Sequence, residues 1–188
     1  PIEDITRKPD VIMLVGSNPE EAHPVVGMQI RQAVQRGCKL IVVDPREIDL
    51  AKKADVHLKL RPGTNVAFAN GMMHIIIEEG LQDTKFIEER TEGYEKIREI
   101  VKDYTPEKVA EICHIDPDDL RKAALMYAKA DKAPIIYCLG VTEHSTGTEG
   151  VMSMSNMALL VGKLGREGCG VNPLRGQNNV QGACDMGA

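Results

Sequence analysis

Short runs of consecutive apolar residues alternate along this chain with longer stretches in which apolar positions recur every three or four residues. VIMLVG, residues 11–16, is of the first kind, and Gly-Ser-Asn-Pro closes it; this predicts a strand covered on both faces and followed by a loop. Residues 24–36 are of the second kind, with Val25, Val26, Met28, Ile30, Ala33 and Val34 at helical spacing and Gly37 where a terminating glycine belongs. CKLIVVDPR then supplies a second buried strand, which completes a β-loop-α-β unit of the length that joins parallel strands through a right-handed crossover.

The same alternation continues. VHLKL, residues 56–60, reads as a weaker strand, and RPGTN leads from it into a helix that aligns Val66, Ala69, Met73, Ile76 and Ile77, with Thr64 or Asn65 as its cap. Residues 83–130 read as four short helices, two of them opened by Thr105-Pro106 and Asp116-Pro117. APIIYCLG, residues 133–140, is a further buried strand, and GVTEHSTG carries the chain into a helix over 148–163. Strands alternating with helices predict an α/β fold, a Rossmann-like, doubly wound, mostly parallel sheet with helices on both faces and a helical insertion in the middle. Residues 1–175 are expected to form a dinucleotide-binding domain with its helical part at about 83–130. Residues 176–188 are expected to be a polar segment that leads from this domain into a further one.

Composition narrows the partners. With 43% hydrophobic residues in 188 the chain can bury a substantial core. A net charge of -5, with acids and bases interspersed and only two Phe and four Tyr, offers no basic stripe and little stacking surface, so nucleic acid is excluded as a partner. No apolar run approaches the roughly 20 residues that span a bilayer, so membrane insertion is not expected. Five cysteines without a C-x-x-C pair argue against a disulfide framework and for a reducing, cytoplasmic setting. The chain opens on Pro1 and stops on Ala188 within a polar, glycine-rich run; both ends are expected to be cuts in a longer polypeptide.

Parallel sheets bind ligands beyond the carboxyl ends of their strands, which directs attention to four loops. GSNPEE lacks the G-x-G-x-x-G pattern but offers backbone amides and an Asn at a helix start, where phosphate is favoured. Asp44 ends the second strand, where nucleotide-binding sheets place an acid for ribose hydroxyls, and Arg46 follows as a phosphate or base contact. His23, His57 and His74 have no partner at metal-ligand spacing and read as structural, and Met152, Met154 and Met157 read as core filler. The adjacent Cys113 and His114 fall between two capped helices and read as helix-end packing.

The last run, NPLRGQNNVQGACDMGA, concentrates hydrogen-bonding groups around a single cation. Arg175 is a planar fork suited to a carboxylate, and Gln177, Asn178, Asn179 and Gln181 supply donors and acceptors that a core does not tolerate unpaired. This run resembles the segment carrying the active-site arginine in the catalytic subunits of molybdenum- or tungsten-dependent formate dehydrogenases, within the bis-molybdopterin guanine dinucleotide oxidoreductases. The likeness continues in order through VGSNPEEAHP, VVDPR, ADVHLKLRPGTN, the EERTEGYE region, YTPE, GVTEHSTG and GKLGREGCGVNP.

The resemblance implies a bis-molybdopterin guanine dinucleotide cofactor with Mo or W in the full-length parent, one guanine dinucleotide arm being held by this chain. Asn18 and Glu21, Asp44 and Arg46, Gly63 and Asn65, and Gly140 with Thr142 are then expected around that arm. Arg175 is expected to anchor formate, with its C–H bond turned to the metal as it becomes CO₂, and Gln177 to bond the pterin or shape the pocket. The family's [4Fe-4S] cluster and its Cys-His or Sec-His metal-ligand pair lie upstream of the matched region, so this piece alone is expected to be inactive. Its partners are expected to be formate and CO₂, the remaining domains of the same polypeptide, and an electron-transfer subunit or carrier. A nitrate reductase-like molybdopterin enzyme and a non-redox nucleotide-binding or assembly module are the alternatives.

Overall fold

The computed structural model describes residues 2–177 and 179–187. A short helix α1 (Ile2–Arg7) precedes β1 (Val11–Val15), and the following chain forms α2 (Pro19–Ala22), α3 (Pro24–Gln35) and β2 (Lys39–Val43). A single 3-10 turn, Ala51–Lys53, leads to β3 (Val56–Leu58) and α4 (Asn65–Glu78). Four helices, α5 (Thr84–Arg90), α6 (Tyr94–Val101), α7 (Pro106–Cys113) and α8 (Pro117–Lys129), come next. The chain then passes through β4 (Ile135–Tyr137), α9 (Leu139–Thr142), α10 (Gly147–Leu160), β5 (Val171–Pro173) and α11 (Val180–Asp185).

The five strands form one sheet in the order β3-β2-β1-β4-β5, and every pairing is parallel. Strand alternation splits the core into two layers. Val11, Met13 and Val15 face one cluster with Phe68, Met72 and Ile76 of α4 and with Leu120 and Tyr127 of α8. Ile12 and Leu14 face the other, with Val26, Ile30 and Ala33 of α3. Both faces of the sheet are therefore covered, as the unbroken apolar runs predict. The central helix α4 buries Phe68, Ala69, Met72, Met73, Ile75 and Ile76, and each large apolar side chain sequestered this way contributes roughly 1.5–3 kcal/mol.

The inserted helices start where the sequence places their caps. Asp83 accepts from the Phe86 amide at 2.9 Å, Thr105 from the Lys108 amide at 3.4 Å and Asp116 from the Asp118 amide at 2.8 Å. Cys113 is buried with its thiol on the Thr64 carbonyl, and His114 takes a left-handed conformation (φ 58°) that ends α7, so this pair serves helix-end packing. His57 hydrogen-bonds the Asp44 carbonyl at 3.0 Å and His74 the Val101 carbonyl at 3.0 Å, both structural roles. Met154 and Met157 fill the core, but Met152 is 60% exposed because it lies on the opposite side of α10.

Candidate functional site

Gly16 and Gly140 lie in backbone contact at the carboxyl edge, between β1 and β4, where the strand order reverses. The Gly140 amide donates to the Gly16 carbonyl at 3.0 Å, and the Gly16 amide donates to the Val43 carbonyl at 2.8 Å. A Cβ on Gly16 would stand 2.6 Å from the Gly140 carbonyl carbon, and one on Gly140 would stand 2.6 Å from the Gly16 Cα. Gly16 also has φ +53°. Only glycine at both positions lets the two loops touch, and the crevice of a doubly wound sheet opens at such a switch point.

On the β2 side of this contact, a cavity of 250 Å³ is lined by Gly16, Asp44, Arg46, Arg61, Asn65 and Gly140 among others. A neighbouring hollow of 240 Å³ is lined by Asn18, Glu21, Arg46 and nearby acids, so Arg46 belongs to both. Asp44 is 2% exposed and its carboxylate is occupied by Arg46: it accepts from the Arg46 amide at 2.9 Å, from Nε at 3.1 Å and from Nη2 at 3.3 Å. That bond raises the Arg46 pKa above its ordinary value and fixes a permanent cation at the junction of the two hollows. Asp44 thus acts as the buried counter-ion of Arg46, a role the sequence reading did not assign to it.

Two long helices point uncapped amino ends at the same edge. Thr64 occupies the cap position of α4, but its hydroxyl donates back to the Arg61 carbonyl at 2.7 Å, and Asn65 donates across the crevice to the Gly140 carbonyl at 3.2 Å. Neither side chain caps the helix, contrary to the sequence reading, because Thr64 turns back to a carbonyl of its own loop and Asn65 reaches the carbonyl of Gly140 in α9. At α10, Thr146 makes no capping bond, and Gly147 and Thr148 line a second cavity. First-turn amides and the helix dipole make such ends attractive to anions. In the loop after β1, Ser17 is 3% exposed with its hydroxyl lacking a partner among the described residues.

That second cavity, 490 Å³, lies between β4, β5 and α10 and is lined by Cys138, Thr142, Thr148, Met152, Arg175 and Gln177, with Tyr137 and Leu174 at its base. The turn bearing Arg175 is tied down by its backbone. The Leu174 amide donates to the Tyr137 carbonyl at 2.8 Å, the Cys138 thiol donates to the Leu174 carbonyl at 3.0 Å, and His23 Nε2 donates to the Arg175 carbonyl at 2.7 Å. Among the described residues no carboxylate pairs with the Arg175 guanidinium, which leaves the cation available to the cavity. Burial raises the pKa of the Tyr137 hydroxyl, and the charge of Arg175 partly offsets that rise.

The sequence-predicted residues therefore fall into three adjoining groups. Asn18, Glu21 and Arg46 share one hollow; Asp44, Arg46, Asn65 and Gly140 share the next; Thr142, Arg175 and Gln177 share the large cavity. Gly63 lies outside all three, in the turn after β3, with φ +84° and open space where a Cβ would project. Asn178 lies outside the described residues. The sequence reading did not single out Ser17, Arg61, Cys138, Thr148 or His23's link to Arg175; these depend on contacts between distant loops. Among the described residues no group of His, Cys, Asp and Glu is arranged to hold a metal ion, and no helix is long and apolar enough to cross a membrane.

The chain is similar to known proteins over its whole length. A family model described as Molybdopterin oxidoreductase matches residues 1–188. The chain is 50% identical over 187 residues to the F420-dependent formate dehydrogenase subunit alpha of Methanocaldococcus jannaschii, covering 100% of this chain and 28% of that one. It is 49% identical to formate dehydrogenase H of Escherichia coli, covering 95% of this chain and 25% of the relative. The assimilatory nitrate reductase catalytic subunit of Bacillus subtilis is 36% identical, over 100% of this chain and 26% of that protein. Among solved structures, acetylene hydratase from Pelobacter acetylenicus superposes with a TM-score of 0.78 at 34% identity, covering 82% of this chain and 21% of that one. The chain spans about a quarter of the length of the curated relatives it matches. With the whole chain matched, it belongs to the molybdopterin oxidoreductase family.

Proposed function

We propose that this chain is the part of a formate dehydrogenase catalytic subunit that holds one guanine dinucleotide arm of the molybdopterin cofactor and presents the arginine that anchors formate. The observation that carries the proposal is Arg175. It lines a 490 Å³ cavity at the carboxyl edge of the sheet while its backbone is pinned through both Leu174 and its own carbonyl. The higher identity to formate dehydrogenases than to the nitrate reductase favours formate over nitrate as substrate.

The residues present fit a guanine dinucleotide. The Gly16–Gly140 contact keeps the crevice floor free of side chains, the orphaned Ser17 hydroxyl needs a polar partner, and the uncapped ends of α4 and α10 favour phosphate. In this reading Asn18 and Glu21 offer an amide and a carboxylate to hydroxyl or base N–H groups, and Arg46, held by Asp44, offers a cation. Gly63 allows the turn after β3, Asn65 and Gly140 form the crevice wall, and Thr142 and Gln177 contact the cofactor from the large cavity. Residues 1–175 then act as the dinucleotide-binding unit, with 176–188 as its cofactor-proximal segment.

When bound, the cofactor's Mo or W centre would supply the acceptor for the two electrons that leave formate, together with its proton, as it becomes CO₂. Arg175 binds the carboxylate through two parallel hydrogen bonds and so fixes the direction of the C–H bond. Leu139, Val151 and Leu174 add apolar lining to the same cavity. The proposal is tested by isolating the full-length enzyme, measuring its Mo or W and guanine nucleotide content, and assaying formate-dependent dye reduction. Guanine nucleotide together with formate-dependent turnover is the expected result; absence of either contradicts it.

A further inference from the structure

The loop after β1 and the turn bearing Arg175 come from opposite ends of the chain, 152 residues apart, yet one side chain joins them: His23 Nε2 stands 2.7 Å from the Arg175 carbonyl oxygen. A carbonyl only accepts, so Nε2 carries the proton and donates. His23 is built into a bend. It ends α2 and begins α3, with φ -139° and ψ 64°, and Pro24 directly after it fixes the start of α3. Glu20, one turn earlier, is held to α3 by Arg31, and its Cα lies 2.8 Å from where a Cβ on Gly27 would stand, so the bend is packed against α3. The other ring nitrogen, Nδ1, is buried without a hydrogen-bond partner among the described residues. Burying that atom unpaired is costly, and the ring keeps this orientation while Nε2 holds the arginine's turn.

The remaining ties on the turn come from the end of β4, through the Tyr137 carbonyl and the Cys138 thiol, and both act on Leu174. Only the His23 bond acts on the backbone of Arg175 itself among the described residues, and only it reaches the segment of Asn18 and α2 that carries Glu21. We propose that His23 is a positioning residue: it ties the bend of the nucleotide-side loop to the backbone of Arg175 and so sets where the guanidinium points into the large cavity. This rests on the reading of Arg175 as the substrate anchor, but the link itself is a property of the backbone and can be measured without substrate. It makes the two halves of the site one mechanical unit, in which displacement of the loop after β1 displaces the arginine.

The test compares His23→Gln with His23→Asn in the full-length enzyme. The amide nitrogen of Gln reaches about as far as the imidazole Nε2, whereas that of Asn stops near the position of Nδ1; both are polar and similar in bulk to the native ring. Two readings are taken: hydrogen exchange of the Leu174 backbone amide, which its bond to the Tyr137 carbonyl protects and which directly precedes Arg175, and KM for formate against kcat. Loss of one neutral hydrogen bond is expected to speed exchange and raise KM roughly three- to tenfold in H23N, with kcat changed less, while H23Q stays near the native values. Native exchange in H23N, or equal effects in H23N and H23Q, overturns the proposal. Arg175→Ala separates the two ideas: if it leaves KM unchanged while H23N still speeds exchange at the Leu174 amide, the anchor reading fails and the backbone link stands. If Arg175→Ala raises KM and H23N alters neither reading, the link fails and the anchor stands.

Discussion

The Gly140 amide donates to the Gly16 carbonyl at 3.0 Å, and a Cβ on either residue would come within 2.6 Å of the other's backbone. This contact closes the floor of the crevice between β1 and β4 and brings the loops of the two strands to one place. Gly16→Ala adds both a clash with immobile backbone and an unfavourable positive φ. It is expected to destabilise the fold by about 2–3 kcal/mol, or roughly 5–10 °C in Tm. Thermal unfolding of the variant beside Gly37→Ala, where φ is also positive but nothing lies within 4 Å, separates the clash from the backbone strain.

Lys163 provides a pH-dependent prediction. It is 2% exposed, donates to the Ala128 carbonyl at 3.1 Å and lies 5.2 Å from the centroid of the fully buried Tyr127 ring. Burial lowers its pKa from 10.5 to about 8. Between those values the unfolded chain binds more protons at this site than the folded one, so stability rises with pH from about 8 to 10.5. Below that window the charged amine is held at a cost. Urea denaturation of native protein and Lys163→Met across this range is expected to show a rise with pH in the native protein that is smaller in the variant. Parallel curves would show that Lys163 does not titrate this way.

The thiols should react in an order set by burial and charge. Cys184 is exposed, Cys113 and Cys169 are buried, and burial together with Asp10 pushes Cys38 up to about 11. Alkylation at pH 8 followed by peptide mass analysis is expected to label Cys184 first and to reach Cys113 and Cys169 only on unfolding. Early labelling of Cys38 would contradict the direction of its shift.

Arg46 and Asp44 offer a test of the nucleotide side. Arg46→Ala leaves a buried carboxylate unpaired and removes the cation shared by the two hollows, so it is expected to lower both guanine nucleotide content and stability. Arg46→Ala with Asp44→Asn removes the charge imbalance and is expected to recover stability but not nucleotide content. Recovery of both would show that the cation is not needed for the cofactor.

The main architecture was legible because strands buried on both faces read as unbroken apolar runs and helices as periodic ones. VIMLV and KLIVV declare themselves in this way, and the caps at Asp83, Thr105 and Asp116 locate the inserted helices. β5 was not legible: Val171–Pro173 sits in a glycine-rich run and contains a proline, which is tolerated because the strand lies at the sheet edge. The short helices α1, α2, α9 and α11 have too few residues to show a period. At the site, loop positions followed from strand ends, but the partners did not. Asn65 crossing to Gly140 and His23 reaching Arg175 join segments remote in sequence, and local pattern carries no signal for such meetings. Asp44 turned onto Arg46 is a local pairing, but which way a strand-end carboxylate turns is not written in the pattern either.

The proposed role of Arg175 as the formate anchor is tested by the steady-state kinetics of Arg175→Ala in the full-length, cofactor-loaded enzyme. Removing a bidentate carboxylate contact is expected to cost about 2–5 kcal/mol, at least roughly 30-fold in kcat/KM for formate. Guanine nucleotide content should remain near native, because the groups proposed to hold that arm lie on other loops. Unchanged KM and kcat/KM for formate, with native cofactor content, would contradict the account.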